Sequence, residues 1–288
     1  MACDSSSISR LPEDCVSRIL SLTSPKDSCK MLAVSKQFRA PAESNLVWDR
    51  FLPTDYAQIL PSINTCPTRD FQSKKELFLT LSDYVLVDGG KKAFGVDKSS
   101  GTKCYIISAR DLSIFSDGID NIWSWKSIPE SRFCEVAELV KASLLQIQGR
   151  IRSQTLSPNT NYGAYLIIRI SDRAYGLDSI PCEISVASNV NTAYLRDPDS
   201  KKQQFERLLY GNRAEMLKKR VDQAGDERVP RKRDDGWMEI ELGQFFNGQG
   251  TGDDEEMVVI SLMEIKGHQF KSGLIVEGIQ VRPKNSLN

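Results

Sequence analysis

The sequence predicts a chain of mixed α and β class, in which a short N-terminal unit of three helices precedes an antiparallel β-sandwich or jelly roll, and three observations carry that prediction. Apolar residues recur at helical spacing over residues 11 to 52, where Val16, Ile19 and Leu20 stand at i, i+3 and i+4. Further on the period falls to two, as in "LLQIQGRIR", where Leu145, Ile147 and Ile151 alternate with Gln146, Gln148, Arg150 and Arg152. The strand-like runs are joined by turns containing Gly and Asn, without regular helical crossovers, and this favours antiparallel pairing. At 288 residues the chain is long for one domain, so about two are expected.

The first helix belongs to "LPEDCVSRIL". "SPKD" restarts helical structure, with Ser24 as cap, Pro25 at the first helical position and Asp27 near the positive end of the dipole. Met31, Leu32 and Val34 supply the apolar side of this second helix. A third segment carries Leu46, Val47, Trp48, Phe51 and Leu52 before Pro53 stops it. Three short helices with so many apolar positions have little interior in which to hide them. Either they pack on the rest of the chain or they offer an apolar face to a partner.

"PTDYAQILPSINTCPTRD" reads as a connector, and "SKKELFLTLSD" as a short helix with Leu77, Phe78 and Leu81 on one face. "YVLVDGGKKAFGV" is a hairpin signal around Asp88-Gly89-Gly90, because glycine tolerates positive φ. Further strands are expected in "GAYLIIRI", "CEISVA", "GWMEIEL", "MVVISLMEI" and "GLIVEGIQVR". "NGQGTGDDEE" reads as a hairpin loop between the third and fourth of these. Residues 196 to 235, densely charged and ending in "RVPRKRDDGW", suit a long mobile insertion. There Arg228, Arg231, Lys232 and Arg233 are either a solvated loop or a basic import or anion-contacting signal.

Composition excludes several functions. Thirty-eight basic and thirty-eight acidic residues cancel, which argues against duplex nucleic acid as the main partner. Seven cysteines (3, 15, 29, 66, 104, 134, 182) contain no C-x-x-C, which argues against a disulfide framework or a zinc site and for a reducing compartment. A histidine relay would have to use His268, which reads as a turn residue. Nucleophile-elbow, metalloprotease, P-loop and Rossmann patterns are absent, so no catalytic residue, cofactor or metal is expected. Asp253, Asp254, Glu255 and Glu256 are adjacent acids in a loop, poorly placed for the fixed separation of paired-carboxylate chemistry. No leader opens the sequence and no apolar run reaches the ~20 residues of a membrane span, so cytoplasm and/or nucleus is the expected location.

"LPEDCVSRILSLTSPKDSCKMLAVSKQFRAPAESNLVWDRF" resembles an F-box, through Leu11-Pro12-Glu13-Asp14, Ser24-Pro25, "AVSKQF" and Val47-Trp48. The resemblance implies a three-helix F-box over residues 5–52 that docks on a Skp-type adaptor and through it on a cullin. The docking residues implied are Leu11, Pro12, Val16, Ile19, Leu20, Pro25, Leu32, Val47 and Trp48.

From Cys104 to Pro283 the chain is similar to the phloem-lectin, or Nictaba-like, domain of plants, through "SARDLSI", "WSWKSIPESRFCEVAEL", "LSPNTNYGAYLI", "DDGWMEIELGQFF", "LMEI" and "KSGLIVEGIQVRP". With "SKKELFLTLSD" and "DGGKK" in a connector over 53–103, the whole resembles phloem-protein-2-like F-box proteins, with a lectin-like domain over 104–288. This implies a non-catalytic substrate receptor of an SCF-type ubiquitin ligase that captures a protein or N-glycosylated target. The alternative is a nucleocytoplasmic lectin acting without ligase assembly. The lectin family binds N-acetylglucosamine-containing glycans through two tryptophans. Here the later falls on Trp123, and Ser116 stands in place of the earlier, with the adjacent Phe115 as its substitute after a one-residue shift, so that Phe115, Ser116, Trp123 and Glu264 are the glycan candidates. Glu264 in "LMEI" matches an acidic position of the family and is either an acceptor for sugar hydroxyls or an outward residue on an alternating strand. In an extended segment Trp123 and Trp125 share one side. Trp125 is then expected in the sandwich and Trp123 at the ligand site, or both in the core.

Overall fold

Two units of residues 1–105 and 106–288 make up the chain in the computed structural model, which describes residues 11–63, 71–114, 122–177, 181–195, 228–248, 256–264 and 270–284.

In the first unit, α1 (Glu13–Leu20) and α2 (Pro25–Val34) start where the sequence marks them. Ser24 accepts a hydrogen bond from the Asp27 amide at 3.1 Å, satisfying one of the free donors at the start of α2. The expected third helix is two, α3 (Arg39–Glu43) and α4 (Asn45–Phe51), because Ser44 leaves helical geometry and caps α4 through the Leu46 amide. After α5 (Tyr56–Ile59) come α6 (Lys74–Ser82), β1 (Val85–Val87) and β2 (Lys92–Val96), with β1 and β2 paired as the expected hairpin. Asp88, Gly89 and Gly90 take φ of 53°, 69° and 82° in its turn.

The core forms around Trp48. Its indole N–H donates to the Ala42 carbonyl at 2.7 Å, and its ring meets Phe51 and Phe78 at 5.7 and 5.2 Å. Val16, Leu20 and Val47 join from the N-terminal helices, while Leu77, Leu81, Val85, Val87, Phe94 and Val96 come from the segment that reads as a connector. That segment therefore supplies a large part of the interior that three isolated helices would lack. Burying each large side chain contributes roughly 1.5–3 kcal/mol. The turn before β3 (Lys103–Ser108) presses on the end of α4, and a Cβ on Gly101 would fall 2.4 Å from the Phe51 carbonyl oxygen.

The second unit is an antiparallel sandwich. Its strands are β4 (Ser113–Ile114), β5 (Trp123–Lys126), β6 (Val136–Leu139), β7 (Leu145–Arg152), β8 (Thr160–Tyr175) and β9 (Cys182–Val186). They continue with β10 (Asn189–Ala193), β11 (Arg231–Lys232), β12 (Met238–Asn247), β13 (Met257–Glu264) and β14 (Ser272–Pro283). One sheet runs β10-β9-β13-β7-β4. In the other, β14 lies between β8 and β6, β12 and β11 follow β8, and β5 flanks β6. The alternation of β7 buries Leu145, Ile147 and Ile151 as expected. Where that inward row reaches Gly149, Ile279 of β14 and Leu112 fill the space a side chain would take.

Two expectations fail here. β12 pairs with β8 and β11, whereas β13 pairs with β7 and β9, so the segment between them crosses from one sheet to the other and is not a hairpin loop. The end of the charged insertion is not a mobile loop either, since Arg231 and Lys232 form β11 against Glu239 and Met238. Arg233, largely buried, binds Asp235, Glu239 and Gln280. Burial alone would push the carboxyls of Asp235 and Glu239 up. Arg132 and Arg233 at the first, with Arg282 and Arg233 at the second, outweigh it and hold both below their ordinary values.

Candidate functional site

The helices of the first unit divide the nine docking residues implied by the sequence. Val16, Leu20, Pro25, Val47 and Trp48 are buried in the unit's own interior, and Leu32 is half-buried against it. A side chain enclosed by its own domain has no surface left to give a partner, so Leu20, Val47 and Trp48 are not placed for direct contact, and Val16 and Pro25 keep only a sliver of exposed surface. They support the unit's surface from beneath. Leu11 and Ile19 remain 41% and 52% exposed, and Pro12 is exposed beside them. Leu22, in the turn after α1, and Val34, at the end of α2, are 72% and 67% exposed. Sequence reasoning missed Leu22 and set Val34 on the apolar side of α2. A shallow cleft lined by Leu11, Val16, Phe38 and Pro41 adjoins the start of α1.

In the second unit β5 brings Trp123 and Trp125 to one side, opposite Leu139 and Ala137 of β6. Neither indole enters the core, for both rings are half-buried and, among the described residues, β5 pairs with β6 alone. The expectation that Trp125 packs inside the sandwich is thus overturned. The Arg110 guanidinium covers it, 3.6 Å from the ring centroid, and is itself held by Glu135 at 2.7 Å. The tryptophan that does enter the fold is Trp237, whose indole N–H donates to the Glu130 carbonyl at 3.2 Å while Arg169 stacks on its ring. Nothing in "DDGWMEIEL" separated it from a surface aromatic. Beyond β5, Glu277 is fully buried at a β14 bulge and accepts from the Arg132 amide at 2.8 Å and the Ser131 hydroxyl at 3.2 Å.

Glu264 meets neither expectation. It points inward and pairs with Lys271 at 2.8 Å, each side chain only 1% exposed. Lys271 also donates to the Ser143 carbonyl at 2.8 Å. A carboxylate so enclosed has no open side for a sugar hydroxyl, and its charge is answered by Lys271, the residue just before β14. Phe115, Ser116, His268, Asp253, Asp254, Glu255, Cys3 and Cys66 lie outside the described residues. Of the four glycan candidates, Trp123 is the one placed with a partly open face. Among the described residues no group of His, Cys, Asp and Glu is arranged to hold a metal ion.

Family models match both units: F-box-like over residues 8–54 and Phloem protein 2 over residues 102–283. F-box protein PP2-B15 of Arabidopsis thaliana is 47% identical over 279 residues, covering 95% of this chain and 96% of its own. This chain belongs to the phloem protein 2 family of F-box proteins. Two further family members of the same plant, F-box protein PP2-B13 and F-box protein VBF, are 46% and 44% identical, each over 95% of this chain and over 98% and 99% of their own. Among solved structures, a family 35 carbohydrate binding module from Clostridium thermocellum overlaps 62% of this chain and 96% of its own, at 11% identity and a TM-score of 0.34, too little to carry an argument. The family assignment accounts for the division of the chain, with F-box helices in the first unit and the phloem protein 2 strands filling the second.

Proposed function

We propose that this F-box protein is a substrate receptor of an SCF-type cullin ubiquitin ligase, working in the cytoplasm or nucleus. Its first unit docks on a Skp-type adaptor and its second unit holds the target. The observation that carries the reading is that the first unit has a closed core and still leaves Leu11, Ile19, Leu22 and Val34 in water. Surplus apolar surface beside a finished interior is surface for a partner. Ubiquitin transfer itself belongs to other subunits, and this chain contributes proximity.

The test is capture of a purified Skp-type adaptor by Ile19→Asp and Leu22→Asp variants. Both positions are exposed, so the melting temperature of the variants should stay at the wild-type value while adaptor affinity falls at least about tenfold. Undiminished capture by both variants would remove the reading. A second reading, a lectin of N-acetylglucosamine-containing glycans that needs no ligase, draws on the half-buried Trp123. It requires glycan-array binding that survives deletion of residues 1–52 and vanishes in Trp123→Ala.

A further inference from the structure

The outward side of β11 and β12, with the end of β14, carries more cations than carboxylates. Residues 228–241 and 282–284 hold six cations against four carboxylates, in a sequence whose net charge is zero. Three of those carboxylates are already engaged: Asp235 by Arg132 and Arg233, Glu239 by Arg282 and Arg233, Glu241 by Lys284. The Arg231 side chain is exposed and has no hydrogen-bond or ion-pair partner among the described residues. It lines an open cleft with Arg228, Val229, Glu239, Glu241 and Lys284, one wall of which is Tyr165. Tyr165 is fixed, because its hydroxyl occupies the place of a Gly163 side chain, 2.6 Å from where a Cβ would stand, and the Arg282 guanidinium stacks on its ring at 3.9 Å. Two apolar side chains flank the charges, Val229 and the 63% exposed Phe246 of β12.

We propose that this face docks an extended acidic peptide segment of the target, with a carboxylate on Arg231 and an apolar side chain against Val229 or Phe246. A nucleic acid fits worse, since its unbroken phosphate charge would run over Glu239, Glu241 and Asp234, whereas a peptide spaces its acids and intersperses apolar groups. The inference rests on the reading of the second unit as the target-holding part, and it puts the docking face away from the tryptophan strand.

The experiment is fluorescence anisotropy of the full-length protein with a labelled glutamate-rich peptide carrying interspersed phenylalanines, and with its lysine counterpart. The acidic peptide binds, the lysine peptide does not, and raising the salt toward 0.3 M weakens binding about tenfold. Arg231→Glu and Phe246→Ser each lower affinity at least about tenfold, while Lys141→Glu, a cation elsewhere on the unit, changes it less than about twofold. Absence of binding, or equal losses from Arg231→Glu and Lys141→Glu, overturns the proposal. So does binding that appears only when residues 196–227 are replaced by a glycine-serine linker, because the chain itself then fills the face. Adaptor capture measured on the same samples separates the two readings. Intact capture without peptide binding sinks this inference alone, and lost capture in the wild type sinks the receptor reading.

Discussion

Replacing Glu264 by Gln keeps the shape of the side chain and removes its charge. The cost can be worked from the pair it breaks. Glu264 and Lys271 approach to 2.8 Å with each side chain 1% exposed, so water cannot solvate the ammonium that the substitution leaves behind. Stranding one member of a buried pair costs about 3–5 kcal/mol. For a domain of this size each kcal/mol moves the melting temperature by about 2–4 °C, which gives a loss of about 6–20 °C for the second unit. Exchanging both partners, Glu264→Leu with Lys271→Met, should recover all but about 1–2 kcal/mol, since nothing charged is then left inside. Thermal and urea unfolding followed by circular dichroism measure both. A Glu264→Gln variant that melts within about 2 °C of wild type, yet binds glycans differently, would refute the structural role and return the residue to a ligand site.

Two further outcomes follow from ionisation. The carboxyls of Asp235 and Glu239 are held below their ordinary values in the folded state, so their contribution is complete above about pH 5 and is lost as pH falls through 4 and below. Arg282→Gln should flatten that acid limb of a stability-against-pH curve, and an unchanged limb would contradict the assignment. Burial, and then the nearby charge of Glu264, pushes the Cys182 thiol up to about 12. Alkylation of the native protein at pH 8, read by mass spectrometry, should label the exposed Cys15, Cys29 and Cys134 and leave Cys182 unmodified.

Local pattern revealed the elements better than their faces. The spacing of Val16, Ile19 and Leu20 marks a helix, but the buried side of α1 is Val16, Ser17 and Leu20, and Ile19 flanks it in water. Which flank is covered depends on α3 and α4, and a short helical repeat carries no information about them. Glu264 is the converse case. Val258, Ile260, Leu262 and Glu264 form one inward row along β13, so the register was legible. Its charge suggested otherwise because the compensating Lys271 lies on another part of the chain. The partners of β12 and β13 were not legible, since consecutive strands joined by a glycine-rich segment look alike whether they pair or change sheets. At the candidate site, the family blocks led to Trp123, while Arg231 and Phe246 stand out only once the strands bring them to one side.

The position of the final strand has a consequence for synthesis. β14 lies between β8 and β6, and Glu277 within it ties down Ser131 and Arg132, some 146 residues earlier. A ribosome must therefore release β14 before the tryptophan-bearing strand can be seated, and contacts of such sequence separation form late. The F-box helices emerge first and can complete their own interior while translation continues. On the receptor reading, a half-made chain would reach its adaptor before it could hold a target, and a chain stopped short of β14 would lose the middle of a sheet rather than its border.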